Sequence, residues 1–356
     1  MVELRVARAT RPLTERWRDI PVRPRGNTLL GISFRPRQVE ALGLDFDDAL
    51  RTLLLAPYQV IRLGAYWDRM APAPGTFRPD ELDRQVAAAE RAGKRIIVCV
   101  GAVKTFGYPE FFVPGHVLPN PLPEGELVTP ERHPALLDAA VAFVTKVVER
   151  YRDRSAIMAW QVEHEAVDPL GMEHSWRLSR SFVATEVAAV RAADPGRPVM
   201  LNGFLPTSLP VRLQQWWRTR DQGDSLATAQ ALGDIVGVDF YPRHAVAALG
   251  GRTLYLDGSP GRGRRRALFA WAARPGRQVM VAEGQAEPWE AVTNPPSPGR
   301  LGMFSCLPER LIENYNQCMA WGNVSAYLFW GAEYWLRRHL DGDPRYLRAF
   351  TRVVTA

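Results

Sequence analysis

The sequence is poor in the residues that build disulfide frameworks and metal centres. Its 356 residues include three cysteines and six histidines. Cys99, Cys306 and Cys318 are too few and too scattered for a disulfide scaffold. No C-x-x-C or H-x-x-x-H spacing suggests zinc, so no metal and no cofactor are expected. No apolar run approaches the roughly 18 residues of a bilayer-crossing helix, so no membrane span is expected. The opening residues, MVELRVARATRPLTERW, are charged throughout and lack the apolar stretch of a secretory signal. A cytoplasmic location is therefore expected for the chain as given, or an extracellular or anchored one if a leader has been removed. No internal repeat or linker divides the chain, and no G-x-G-x-x-G follows the first apolar run, which argues against a dinucleotide fold.

What the chain does have is apolar surface, at 46% hydrophobic residues, enough for a large core. The formal charge is +7, from 45 Lys+Arg against 38 Asp+Glu. The densest basic run, Arg262 to Arg266, reads as a solvated helix start, and no nucleic-acid motif accompanies it. Nucleic acid is not expected as a partner, and the chain is expected to be a monomer.

Short Val- and Ile-rich runs alternate with longer amphipathic ones, the pattern of βαβ units. Eight strands are expected, at 28–34, 59–66, 95–101, 157–165, 198–204, 234–241, 278–284 and 324–331. Helices are expected at 36–55, 79–93, 133–152, 174–194, 207–220, 263–274, 307–321 and 343–353. Eight strand–helix pairs in order make an α/β fold of the (β/α)8 TIM-barrel type. One catalytic domain over 1–356 is expected, with 1–27 as an N-terminal extension and extended loops after strands three and seven.

Barrel enzymes place their chemistry at the C-terminal ends of the strands. Strand two ends in Arg62, Tyr66 and Trp67, strand four in Glu163, His164 and Glu165, and strand six in Asp239 and Tyr241. Strand seven ends in Glu283, and strand eight in Trp330 with Glu333 beyond. Charged groups closing otherwise apolar strands are costly unless a site is built around them. Alternation along the strands puts Arg62 on the inner face, and Glu163 and Glu165 on one face together. Two carboxylates at a barrel mouth with aromatic rings nearby are what glycoside hydrolysis requires: one protonates the leaving oxygen while the other attacks or activates water.

At these residues the sequence resembles clan A of the retaining glycoside hydrolases, the cellulase and mannanase type, over Gly31 to Phe350. AWQVEHEAVDP (159–169) resembles the strand-four motif, and VMVAEGQAEPW (279–289) the strand-seven motif. The resemblance implies Glu165 as acid/base and Glu283 as nucleophile. It implies Arg62 and Tyr241 as supports of the nucleophile, and Trp330 as the platform under the first sugar. His164 stands where the family has Asn, and Ala166 where it usually has Pro. Trp67 and Trp289 are further candidates to line a carbohydrate site. The expected substrate is a β-linked gluco- or manno-type glycan, with transfer to another acceptor or a non-catalytic sugar-binding barrel as alternatives. Retention implies carboxyl groups about 5–5.5 Å apart. Glu163 is read as a structural carboxylate and Glu287 as the rival to Glu283. Arg35, Arg37, Lys104 and Arg243 all follow strands, which leaves room for an acidic glycan.

Overall fold

The structure, a computed structural model, describes residues 3–168, 176–249, 252–288 and 301–356. Trp289 lies outside the described residues. Eight strands appear where eight are expected: β1 (Leu29–Ser33), β2 (Val60–Gly64), β3 (Arg95–Cys99), β4 (Ile157–Gln161), β5 (Val199–Phe204), β6 (Ile235–Phe240), β7 (Gln278–Gln285) and β8 (Ala326–Trp330). They close into a barrel in sequence order. The pairings of β7 with β8, β8 with β1, β3 with β4 and β4 with β5 are all parallel. Parallel strands covered by helices are buried on both faces, and β2, for example, is buried from end to end.

The helices differ from expectation in several places, three of them substantial. The segment 36–55 is two helices, Pro36–Ala41 and Phe46–Leu54, because Gly43 takes a positive φ of 63° and Asp45 caps a new start by accepting from the Asp48 amide. A helix at Ser225–Leu232, capped by Asp224, follows the one at Leu209–Thr219. Another, Ala332–Leu340, precedes Arg345–Val354. The N-terminal extension also has structure of its own. Glu3–Ala7 pairs antiparallel with Arg252–Asp257, which pairs in turn with Arg243–Leu249. Among the described residues no helix is long and apolar enough to cross a membrane.

The chain divides into two compact units: Met1–Val60, Leu205–Leu213 and Val238–Ala356 form the first, and Ile61–Phe204 with Gln214–Gly237 the second. Each carries one group of the candidate residues.

Candidate active site

The second unit holds Glu165, on a turn that departs from simple strand alternation. β4 stops at Gln161, and both Glu163 (φ 56°) and Glu165 (φ 43°) are left-handed. The expected shared face of Glu163 and Glu165 therefore does not arise, because alternation requires extended backbone. Left-handed conformations are strained for residues with a Cβ and persist only where the surroundings fix them. Here the fixing groups are polar. The Gln161 amide donates to the Glu163 carbonyl (3.0 Å) and to Asn202 Oδ1 (2.9 Å), and the Glu165 amide reaches the same Asn202 oxygen at 3.4 Å. The Glu163 carboxylate accepts from the amides of Val103 (2.9 Å) and Lys104 (2.5 Å). A Cβ on Gly101 would lie 2.1 Å from the Glu163 nitrogen, so only glycine lets the turn close down on the chain after β3.

Behind the turn, Glu186 of the helix Arg180–Ala193 meets Glu163. Burial, the Glu163 charge and the hydrogen bond to it push the Glu186 carboxyl well above the usual range. Glu163 is also raised by burial, and the hydrogen bond from Glu186 opposes that rise. The stable arrangement is a neutral Glu186 donating to a Glu163 carboxylate. Glu163 is thus a structural carboxylate by its contacts. Farther along, the Asp168 carboxylate accepts from the Ser225 amide and from Gln215 Nε2, each at 3.2 Å, and burial and then Asp224 push its pKa up to about 6.

Of the other candidates in this unit, His164 is buried beside Glu165, its amide donating to the Lys104 carbonyl at 2.9 Å. Arg62 is wholly buried, its guanidinium 4.1 Å from the Phe106 ring centre and 3.4 Å from Gln161 Oε1. The expectation for Trp67 fails. It is 2% exposed and stacks on Phe143 at 5.5 Å, so its faces are used in packing under a helix rather than offered to a sugar.

The first unit holds Glu283. The pairing of β7 with β8 runs Val281↔Tyr327, then Gly284↔Phe329, so three steps on one strand oppose two on the other. Such a bulge re-aims side chains, and Glu283 sits inside it. Glu283 is 3% exposed, and the Tyr241 hydroxyl, one residue past β6, donates to its Oε2 at 2.7 Å. Two residues beyond β7, Glu287 is committed elsewhere. Arg35 Nη1 and Nη2 grip its two oxygens at 2.6 and 2.9 Å, while Arg35 Nε and Nη2 bind Glu333 Oε2 at 2.9 and 2.6 Å. Burial opposes the charge on Arg35, but the two carboxylates outweigh it and hold its pKa above the ordinary value. Trp330 lies beneath this guanidinium, 4.2 Å from ring centre to Arg35. Sequence reading missed this triad because its members come from the ends of three different strands.

The expectation of strand-end cations for an acidic glycan also changes. Arg35 is consumed by Glu287 and Glu333, Arg243 forks onto both oxygens of Asp257 at 2.7 Å, and Lys104 Nζ donates to main-chain carbonyls. Each is a partner of the protein itself.

The fold is similar to those of several solved structures. Xylanase 10B from Thermotoga maritima superposes with a TM-score of 0.54 at 13% identity, over 93% of this chain and 96% of that one. Xylanase 10B from Thermotoga petrophila with xylobiose gives 0.52 at 13%, over 92% and 94%. GH5_18 from Streptomyces cattleya in complex with GlcNAc gives 0.54 at 14%, over 87% and 71%. The likeness shows the fold, a closed (β/α)8 barrel. Neither a scan against protein-family models nor a search of curated proteins gave a match. At these identities the likeness establishes the barrel alone, and the chemistry rests on the residues.

Proposed function

We propose that this protein is a retaining glycoside hydrolase, acting as one catalytic domain, with Glu165 as acid/base and Glu283 as nucleophile. The observation that carries the reading is the Tyr241 hydroxyl donating to Glu283 at 2.7 Å on the bulged end of β7. A hydroxyl donor favours the ionised carboxylate that a nucleophile must be. Glu165 stands on the turn after β4, on a fold whose solved counterparts include xylanases. In the first step Glu283 attacks the anomeric carbon while Glu165 gives its proton to the departing oxygen. A glycosyl ester on Glu283 results. Glu165, now ionised, takes a proton from water as the water attacks that ester, and both glutamates return to their starting states. In this reading His164, beside the acid/base, and Trp330 meet the sugar, while Arg62, wholly buried, acts as a support behind the site.

The substrate class proposed is a β-linked pyranose glycan of the gluco or manno type. A GH5_18 structure superposing at a TM-score of 0.54 and 15% identity carries Manβ1-4GlcNAc, which supports a β-linked manno substrate. The test is a panel of aryl and oligomeric β-glycosides with the first anomer read by NMR. Retention of configuration is expected. Glu283→Ala should remove turnover on every substrate. Glu165→Ala should spare substrates with good leaving groups and regain activity with azide. An inverted first product, or full activity of Glu165→Ala on unactivated glycans, overturns the assignment.

A further inference from the structure

We infer that Lys104 is a positioning residue for the acid/base: its buried ammonium and its own peptide unit together hold the left-handed turn that aims Glu165. The inference rests on the reading of Glu165 given above.

Lys104 contacts this turn with every polar group it has. Its amide donates to Glu163 Oε2 at 2.5 Å, and its carbonyl accepts from the His164 amide at 2.9 Å. Its Nζ donates to the carbonyl of Glu165 at 2.8 Å and to that of Asp168 at 3.1 Å. Four polar contacts thus tie one residue to positions 163, 164, 165 and 168. The side chain is wholly buried, and Nζ lies 5.4 Å from the centre of the Phe111 ring. A buried cation on two carbonyls is an expensive way to fasten a loop if fastening were all that was needed, since a neutral donor would satisfy the same oxygens without desolvating a charge. An ammonium carries three donors that turn freely about one point, where a neutral amide carries two held in a plane, so it adapts to carbonyls three residues apart.

The geometry explains why such a brace is needed. Glu163 and Glu165 are both left-handed, and the Asp168 amide returns to the Glu165 carbonyl at 3.1 Å, so that carbonyl is shared between the ammonium and a tight turn. Freed from Lys104, the Glu165 peptide could relax toward an ordinary conformation and swing its Cβ off the direction in which the acid must point. A general acid is effective only within hydrogen-bonding reach of the departing oxygen. Loss of the brace should therefore mimic loss of the acid, not loss of substrate binding.

The experiment is a leaving-group series on Lys104→Met, which keeps the length of the side chain and removes its donors. It is run beside Lys104→Arg, Glu165→Ala and the double variant, with thermal melts of each. For Lys104→Met, kcat on an alkyl or oligosaccharide β-glycoside is expected to fall on the order of 100-fold, as befits a misplaced general acid. On a dinitrophenyl glycoside, glycosylation should change by less than about 3-fold, since that leaving group needs little protonation. Lys104→Arg, which retains cationic donors, should recover part of the loss. In the Glu165→Ala background, Lys104→Met should add almost nothing, because two residues acting through one step are not additive. An equal loss on both kinds of substrate, or an additive double variant, overturns the inference and leaves Lys104 a fold residue. Should Lys104→Met fail to fold, the leaving-group slope of Lys104→Leu, which also lacks a donor, decides the matter by the same criterion. If Glu165→Ala itself shows no leaving-group dependence, the acid/base reading has failed instead, and the two failures are told apart by that variant alone.

Discussion

The two proposed catalytic glutamates are the same residue type held in opposite ways. Glu165 stands on a turn fixed by main-chain amides and carbonyls, with one ammonium and one neutral carboxyl beneath it. Glu283 sits on a bulged strand and takes a phenolic hydroxyl, with the chain just beyond it anchored by an arginine between two carboxylates. The first environment fixes a backbone shape, and the second manages charge. That difference suits the proposed division of labour. An acid/base must be aimed and must change protonation twice in a cycle, whereas a nucleophile must stay ionised.

If the charge cluster beyond β7 is as tightly balanced as its geometry indicates, Arg35→Met should give the largest loss of stability in either region. It leaves Glu287 and Glu333 buried with no guanidinium between them, a situation that costs about 3–5 kcal/mol when one partner of a buried ion pair is removed. Urea unfolding measures it, and Arg35→Met with Glu287→Gln and Glu333→Gln should recover much of the loss. A loss below about 1 kcal/mol would show that water already reaches the triad. Next in size is Tyr241→Phe. It removes the hydroxyl that donates to Glu283, a hydrogen bond to a charged group worth about 1.5–3 kcal/mol, so kcat/KM should fall by roughly 10- to 100-fold with little change in melting temperature. An unchanged kcat/KM would detach Tyr241 from the reaction.

The glycines break the comparison differently. A Cβ at Gly101 would meet the backbone of Glu163, with its nitrogen 2.1 Å away, whereas one at Gly284 would meet the Tyr327 ring at 2.1 Å. Both alanine variants overpack a filled interior and should cost about 1–3 kcal/mol or more. The difference lies in rescue. Trimming Tyr327 to Leu should restore part of the stability of Gly284→Ala, while no side-chain change at Glu163 should help Gly101→Ala. Rescue of both by side-chain trimming would mean that the turn after β4 can move as a unit.

The barrel was legible in the sequence because its signal is repeated: eight apolar runs, each followed by a helical pattern, average out local errors. Glu165, Glu283 and Tyr241 stand out in the sequence as candidates because polar residues closing apolar strands are conspicuous. The turn after β4 was not legible, since VEHEAVD reads as an extended continuation and nothing in it announces two left-handed glutamates. Lys104 was noticed only as a cation after a strand, because the carbonyls that hold it come from about 60 residues away. Glu186 left a usable trace. It lies on the face of its helix that buries Phe182, Val183, Val187 and Val190, and a carboxylate on an apolar stripe signals a partner. Trp67 was misjudged because an aromatic ring near a strand end can turn inward to a helix as readily as toward a mouth.

The smallest effect separates the two regions by pH. Burial raises both Glu163 and Glu186, with Glu186 raised further by the Glu163 charge, and burial takes Asp168 up to about 6. An acid whose folded pKa exceeds its unfolded value binds its proton more tightly when folded. Its contribution favours folding at low pH and is lost as pH rises from the unfolded value, about 4, through the folded one. Asp257 works the other way: burial opposes ionisation, but Arg243 and Arg310 override it and hold the carboxyl below the usual range. Its contribution is present at neutral pH and lost as pH falls through that lowered value. Stability of the wild type should therefore decline as pH rises above about 4, with the Asp168 share spent by about pH 6 and the Glu186 share lost on through its own raised value. Glu186→Gln keeps a donor for Glu163 and removes a titrating proton, so its stability should fall less steeply with rising pH and overtake the wild type in alkaline buffer. Asp257→Asn should instead lose stability near neutral pH and lose less of it in acid. Urea midpoints taken from pH 5 to pH 9 compare the slopes. Parallel curves for the wild type and Glu186→Gln would show that no proton is stored behind the turn, and the contrast between a shape-holding and a charge-holding region would then lose its electrostatic basis.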